Sequence, residues 1–277
     1  MFKTKVRVVV GITTFYNDFL GLSVPALRRL PSDFMLIVYN DNPDTVVKRG
    51  QIRRLGYSGP LRIINGAQNV GTLQARLNIL EYVQKHKIIP QWVVLADDDD
   101  ILVNIDTPNV GDDNFAVIQN MAVIKSRLVD VMRAMNNPQN CVPDSDNIEL
   151  VRPHVGLAGT LVRWGAMCRM GNVLRQMQQE ISDIDESLSF RPPVDPVMWN
   201  ALTAIVRNDN PQAMPIYMDA VNYIATNLDR ATTKYGMAVS PAKNAIAQIE
   251  RALAKYDAAI KRHLATNAAP MGQNSDE

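Results

Sequence analysis

Residues 97–100 are four consecutive aspartates that follow directly on the apolar segment 92–96. The apolar segment is typical of a buried strand, which predicts the four carboxylates at a strand end. Carboxylates crowded at such a place repel one another unless a cation neutralises them, and hard oxygen ligands favour Mg²⁺ or Mn²⁺. The pattern therefore predicts a divalent metal that holds a phosphorylated ligand; an acidic solvated loop is the alternative.

The composition is that of an ordinary globular protein. The 277 residues are 47% hydrophobic and 21% charged with a net charge of +1, which favours one large domain or two small ones and no general attraction to nucleic acid or anionic membranes. The cysteines, Cys141 and Cys168, predict no disulfide framework. We find neither a signal-peptide segment nor an apolar run of roughly 18 residues, so we expect a cytoplasmic protein.

Strand-type and helix-type segments alternate over residues 1–103. Strands are predicted at 6–12, 34–39, 61–64 and 92–95, each followed by a polar turn. This alternation predicts βαβ units and an α/β fold with a parallel sheet, in which the turns share the edge where nucleotides bind. No G-x-G-x-x-G or P-loop motif occurs, which disfavours Rossmann dehydrogenases and P-loop enzymes.

The polar turns also permit structural interpretations. Thr13 and Thr14 could be satisfied strand-end hydroxyls, and Asp41 could be a turn former. Asn69 and Gly71 could be a helix cap and a permissive backbone position. These alternatives stay open for each turn taken singly.

Arg76 lies in the first turns of a helix predicted at 72–87. A cation near a helix N-terminus is unfavourable to the helix dipole, so a nearby anion would explain this position. The anion is either a bound ligand or one of the carboxylates at 97–100.

Four motifs in residues 1–103 resemble the nucleotide-binding half of inverting GT-A glycosyltransferases of family 2. They are a strand with a Thr-Tyr-Asn-like turn, a strand ending in aspartate, an Asn-x-Gly-x-x-x-Ala-Arg segment and a D-x-D motif, at 12–17, 38–41, 69–76 and 97–99. The resemblance implies a GT-A (Rossmann-like) fold, with a mostly parallel sheet flanked by helices. It also implies metal-dependent transfer of a sugar from a nucleotide-diphosphate donor, with a UDP-sugar favoured.

The resemblance further implies a role for each residue of the motifs. Asp97 and Asp99 would hold Mn²⁺ or Mg²⁺ on the diphosphate, and Asp98 would face the ribose or sugar. Two D-x-D patterns overlap here, so the register stays open by one residue. Asp41 would accept a hydrogen bond from a ring N–H of the base. The remaining donor-binding positions lie around the base or flank the acidic motif: Thr13, Thr14, Phe15, Asn69, Gly71 and Arg76.

The segment 190–202 resembles the Glu-Asp…Leu-Trp segment of the same family and places Asp195 at the position of the catalytic base. Inversion requires a carboxylate that takes the acceptor's proton. Helix capping would equally put Asp195 before Pro196. Arg230 is predicted as a phosphate contact in a closing loop, and His154 as either a ligand contact or a structural residue.

Periodicity predicts the remaining elements: a long helix at 115–135, a strand at 154–162 and a helix at 164–188. An amphipathic helix at 240–264 is expected to pack on the domain or to form a homo-oligomer contact, and its basic C-terminal end could alternatively favour a membrane surface.

The predicted division of the chain is a donor-binding half at 1–103, an acceptor half at 104–239, the C-terminal helix at 240–264 and a disordered tail at 265–277.

Two other functions stay open from the sequence. A nucleotidyltransferase would make a nucleotide sugar, but that class usually has a Gly-rich first loop with a basic residue, which residues 13–17 lack. A non-catalytic binding protein could use the same fold. The acceptor half has no interpretable motif, so a glycan, a lipid, a protein or a nucleic-acid base could be the acceptor.

Overall fold

The computed structural model describes residues 6–124, 148–151, 156–187, 194–225 and 243–267. Within these ranges, nine strands form one mixed sheet with helices on both faces. The strands are β1 (Val8–Thr14), β2 (Phe34–Asn40), β3 (Leu61–Asn65), β4 (Trp92–Asp97), β5 (Ile101–Leu102), β6 (Asn114–Ile124), β7 (Ile148–Val151), β8 (Leu161–Arg163) and β9 (Met214–Ala225). The helices are α1 (Leu20–Ala26), α2 (Arg49–Arg54), α3 (Gly71–Lys85), α4 (Trp164–Gln176), α5 (Gln178–Glu186), α6 (Val194–Asp209) and α7 (Lys243–Asn267).

Parallel pairing dominates the sheet, whose order is β3-β2-β1-β4-β8-β6-β9-β5 with β7 beside β6. The four longest ladders, β1 with β2, β1 with β4, β2 with β3 and β6 with β9, are parallel. Shorter antiparallel ladders attach β8, β5 and β7. The predicted α/β fold with a mostly parallel sheet and flanking helices is therefore confirmed.

Successive residues of a strand pack into two different hydrophobic cores, one on each face of the sheet. Val9 packs in the core that contains α3 to α7, whereas Val8 and Val10 pack in the core that contains α1. Because both faces are covered, β1 and β2 are buried along their whole length. This double burial explains their almost uninterrupted apolar sequences.

The carboxyl ends of the parallel strands meet at one edge, as predicted. Thr13 lies opposite Asp97 in the β1–β4 ladder, and Thr14 lies opposite Asn40 in the β1–β2 ladder. The backbone N–H of Asp41 donates to the Thr14 carbonyl at 2.8 Å. The polar residues that follow three different strands are thereby brought within reach of one another.

The helix predicted at 115–135 is wrong over its described part, which is the strand β6. Ala116 and Val117 pack in the two opposite cores, as adjacent strand residues do. β6 pairs with β8 and β9 inside the sheet, and a strand covered on both faces carries an apolar run that resembles a buried helix. Residues 125–147 lie outside the described ranges.

In the second half of the chain, other observed helix and strand boundaries also differ from the predicted ones. The predicted strand at 154–162 contributes only β8, because Gly159 has a φ of +74° and interrupts the extended backbone. The helix predicted at 164–188 is divided into α4 and α5 at Met177, whose ψ is 9°. The strand β9 was not predicted.

The C-terminal helix α7 packs on α6 and α5 of its own chain. Tyr256, Ala259 and Ile260 are buried in the larger core, and Arg262 pairs with Glu180 at 2.6 Å. The expected packing of this helix on the chain's own domain is thus observed, and the homo-oligomer contact stays a prediction. Among the described helices, none is both long enough and apolar enough to cross a bilayer.

Candidate active site

Asp97 ends β4 at the polar edge of the sheet and is held by two neighbours. The Thr13 hydroxyl donates to Asp97 Oδ1 at 3.2 Å, and Arg76 Nη2 donates to the same oxygen at 2.9 Å. The Asp97 side chain keeps 33% of its surface exposed. The carboxylate is therefore oriented by the protein and still open to a ligand.

Asp97, Asp99 and Asp100 form a carboxylate cluster in which one oxygen of each lies within 4.8 Å of the others. Two oxygens on opposite sides of a bound Mg²⁺ are about 4.2 Å apart, twice its bond length. Small side-chain rotations would therefore let the three carboxylates share one ion, and carboxylate oxygens are the ligands that Mg²⁺ and Mn²⁺ prefer. The residues present fit the predicted metal.

Asp98 is not a member of this cluster and is buried in the protein. Its Oδ2 accepts a hydrogen bond from the Thr14 hydroxyl. Burial, followed by the charges of Asp99 and Asp97, raises the pKa of Asp98 well above its ordinary value, although the Thr14 hydrogen bond opposes this effect. The two overlapping D-x-D patterns thus differ, since Asp97 and Asp99 both belong to the cluster, whereas of Asp98 and Asp100 only Asp100 does.

Arg76 on α3 joins Asp97 to Asp195, the aspartate predicted as the catalytic base. Its Nη2 binds Asp97 and its Nη1 binds Asp195 Oδ1, while only 1% of the arginine side chain is exposed. Burial lowers the pKa of Arg76, but the charges of Asp97 and Asp195 more than offset this effect and raise it. The anion expected beside Arg76 is therefore provided by two carboxylates of the chain, those of Asp97 and Asp195.

Asp195 lies in the first turn of α6 and contacts residues outside that helix. Its Oδ1 also accepts a hydrogen bond from the backbone N–H of Ala158 at 3.2 Å. Ala158 forms an isolated bridge with Leu95 of β4, and the N–H of Gly159 donates to the Leu95 carbonyl at 2.8 Å. Residues 156–160 therefore connect Asp195, the predicted base, to β4, the strand that ends in the acidic cluster.

Tyr223 on β9 is a site residue that the sequence motifs did not indicate. Its hydroxyl donates to Asp100 Oδ2 across 123 positions of sequence. Burial, then the charges of Asp100 and Asp97, raise the pKa of Tyr223 well above its ordinary value, so the phenol stays protonated. No motif surrounds Tyr223, and the pairing of β9 with β5 and β6 places it here.

Asp41 binds the start of α3. Its two carboxylate oxygens accept hydrogen bonds from the backbone N–H groups of Val70 and Gly71 at 2.8 and 2.9 Å. Burial raises the pKa of Asp41, and these two hydrogen bonds oppose the rise. Gly71 has a φ of +80°, which glycine adopts most readily. Asp41 thus has a structural role, and its contact with a nucleotide base stays a prediction.

Asn69 and Phe15 are the remaining predicted site residues that the structure describes. Asn69 is exposed and its side-chain oxygen accepts from the Gly71 N–H at 3.1 Å. Phe15 is half-buried, lies edge-on to Tyr16 with ring centroids 4.8 Å apart, and follows Thr14 at the same rim. Arg230 and His154 lie outside the described residues.

No protein-family model and no curated protein sequence matches the chain. A similar solved structure is the mannosyltransferase PcManGT from Pyrobaculum calidifontis in complex with GDP-Man and Mn²⁺, with 13% identity and a TM-score of 0.41 over 97% of this chain and 77% of that one. Two structures of the glycosyltransferase GlyE from Streptococcus pneumoniae, one of them the apo form, have 10% and 11% identity and TM-scores of 0.40 and 0.39. They match 95% of this chain, which spans less than two thirds of GlyE, 64%. Because these identities and TM-scores are low, we infer the function from the side chains of the site.

Proposed function

We propose that the protein is a metal-dependent glycosyltransferase of GT-A type. It would move a sugar from a nucleotide-diphosphate donor, a UDP-sugar by preference, to an acceptor with inversion at the anomeric carbon. One observation carries the proposal: the buried Arg76 brings the base candidate Asp195 next to Asp97 of the three-carboxylate cluster. A single guanidinium thereby joins a metal-binding group of side chains to a group that can accept a proton.

The cluster of Asp97, Asp99 and Asp100 is assigned to Mn²⁺ or Mg²⁺. When bound, the ion would supply Lewis-acid neutralisation of the diphosphate that departs from the sugar. The three aspartates would orient the ion at the rim, beside the predicted nucleotide site at Thr13 and Thr14. The remaining donor contacts in this proposal are Phe15, Asp41, Asn69, Gly71, Asp98 and, outside the described residues, Arg230.

Asp195 is assigned as the general base. Both of its described hydrogen bonds, from Arg76 and from the Ala158 N–H, use Oδ1. We therefore assign the acceptor's proton to Oδ2. Two contacts from different segments hold the carboxylate in one orientation, and such positioning is what a base needs to meet an incoming hydroxyl.

The test begins with isothermal titration of nucleoside diphosphates with and without Mn²⁺. We expect UDP to bind only when Mn²⁺ is present and Asp99→Ala to abolish this dependence. The exposed Asp106, whose backbone N–H donates to Asn104 Oδ1, provides a matched control variant, Asp106→Ala. If no nucleoside diphosphate binds in a Mn²⁺-dependent way, the proposal is contradicted and a non-catalytic binding protein is favoured.

Product analysis then identifies the reaction. Nucleotide sugars are screened for release of the nucleoside diphosphate, and the anomeric configuration of the product is read by NMR. Release of a diphosphate with an inverted glycoside is expected. Formation of a nucleotide sugar and pyrophosphate from a nucleoside triphosphate and a sugar 1-phosphate would instead identify a nucleotidyltransferase.

A further inference from the structure

Tyr223 is a buried polar residue for which the proposed reaction has no assigned use. It is 3% exposed, and its hydroxyl donates to Asp100 Oδ2. Asp100 lies beyond the end of β4, whereas Tyr223 lies on β9 opposite Leu102 of β5. The hydrogen bond therefore links the acidic cluster to a strand that enters the sheet from the other half of the chain.

Gly159 limits where the Tyr223 ring can lie. A Cβ at Gly159 would lie 2.7 Å from Tyr223 Cβ and Cγ, so the ring packs directly on the glycine backbone. The backbone of Gly159 is itself tied on both sides: its N–H donates to the Leu95 carbonyl at 2.8 Å, and its carbonyl accepts from the Asn222 side chain. These contacts restrict the position of the Tyr223 ring, whose hydroxyl donates to Asp100.

Three aspartates within 4.8 Å repel one another when they are ionised. A side chain at the edge of such a group gains by turning towards water. The hydrogen bond from Tyr223 opposes that rotation because a neutral phenol donates to the carboxylate without taking away its charge. Asp100 then keeps an oxygen near Asp97 and Asp99.

We propose that Tyr223 is a positioning residue for the metal, holding Asp100 as the third carboxylate ligand beside Asp97 and Asp99. This inference rests on the proposed function, since it requires that the cluster binds a divalent ion. Removing a residue that hydrogen-bonds to a metal ligand and orients it changes the metal affinity by about 10- to 100-fold. Tyr223→Phe deletes the one hydroxyl and leaves the packing on Gly159 intact.

Mn²⁺ binding to the full chain is measured by electron paramagnetic resonance of the free ion, in the absence of any nucleotide. We expect Tyr223→Phe to weaken Mn²⁺ binding by about 10- to 100-fold. Asp100→Asn should weaken it at least as much, and the double variant should bind no more weakly than Asp100→Asn alone, because both changes remove one contribution.

Tyr256→Phe is the matched control. Tyr256 is also 3% exposed and its hydroxyl also donates to an aspartate, Asp185 on α5, within the C-terminal helical layer. This variant should lose stability comparably and bind Mn²⁺ like the unmodified chain.

The outcomes separate this inference from the proposed function. An unmodified chain that binds no Mn²⁺ overturns both. Mn²⁺ binding that is equal in the unmodified chain and Tyr223→Phe overturns the role of Tyr223 alone. Should Tyr223→Phe not fold, Asp100→Asn carries the test, and unchanged Mn²⁺ affinity in that variant overturns the inference.

Discussion

Arg76 on α3 and Asp195 on α6 form an ion pair although 119 positions of sequence separate them. The same guanidinium binds Asp97 at 2.9 Å, so a single side chain orients both the acidic cluster and the predicted base. Arginine suits this position because its planar, forked donors can serve two carboxylates at once, whereas a lysine ammonium acts as a point charge.

Replacing Arg76 with methionine should destabilise the fold. The arginine is 1% exposed, and its loss would leave two partly buried carboxylates without their cation. We expect the free energy of unfolding to fall by about 2–3 kcal/mol, less than for most broken buried pairs, because both carboxylates are about one third exposed. Arg76→Lys should recover part of this loss. Urea denaturation measures both values.

Arg169→Met is the matched control, since the Arg169–Asp209 pair is exposed on both sides. Its removal should change the free energy of unfolding by less than about 1 kcal/mol. Equal effects of Arg76→Met and Arg169→Met would contradict the bridging role of Arg76.

Asp195→Asn should lower kcat by about 10²- to 10⁴-fold, the contribution expected of a positioned base. The amide oxygen can still accept from Arg76 and the Ala158 N–H, so the fold and the Mn²⁺-dependent affinity for UDP should change little. Initial rates and nucleotide titrations test this separation. Asp209→Asn, the same substitution at the end of the same helix, should retain full activity; a kcat within a few-fold of the unmodified value for Asp195→Asn would exclude it as the base.

The parallel half of the fold could be predicted because its signals are local. Buried strands such as β1 and β2 carry almost continuous apolar sequences, and the polar residues after them are fixed to one edge by parallel topology. The expectation of an anion beside Arg76 was likewise confirmed, although Arg76 is the sixth residue of α3 and lies beyond the first turn, within which the helix dipole acts.

The acceptor half could be predicted far less well because its structure depends on distant pairing. β6 has an apolar pattern compatible with helix or strand, and only its neighbours β8 and β9 decide the outcome. Tyr223 has no motif around it, since its partner Asp100 lies 123 positions away. The role of Gly159 could not be predicted either, because the residue that excludes a Cβ there is Tyr223 on the distant strand β9.

Gly159→Ala should destabilise the protein strongly. The φ of +74° is unfavourable for alanine, and the added Cβ would lie 2.7 Å from Tyr223. The backbone term alone is about 1–2 kcal/mol, so we expect a total loss above about 2 kcal/mol once the steric clash is added. Thermal and urea unfolding give the measurement.

Gly165→Ala is the control for this substitution. Gly165 is exposed in α4, and a Cβ there meets nothing within 4 Å. Alanine should raise the free energy of unfolding by about 0.5–1 kcal/mol through its helix propensity. Similar changes at Gly159 and Gly165 would show that close packing on Tyr223 is unimportant.

Asp41→Ala should remove a cap from α3 and change how stability depends on pH. Loss of the acceptor for the Val70 and Gly71 N–H groups should lower the free energy of unfolding by about 1–2 kcal/mol. Burial raises the pKa of Asp41 in the folded state. The folded protein therefore keeps this proton to higher pH than the unfolded chain, whose aspartates titrate at about 3.9.

This difference in proton binding fixes the sign of the pH effect. Where the folded state binds more protons, stability falls as pH rises. The stability difference between the unmodified chain and Asp41→Ala should be largest at or below about pH 4 and should shrink as pH rises through the raised pKa of Asp41. Urea denaturation of both proteins across this pH range measures the difference. A difference that grows with pH would mean that the hydrogen bonds from Val70 and Gly71 outweigh burial at Asp41.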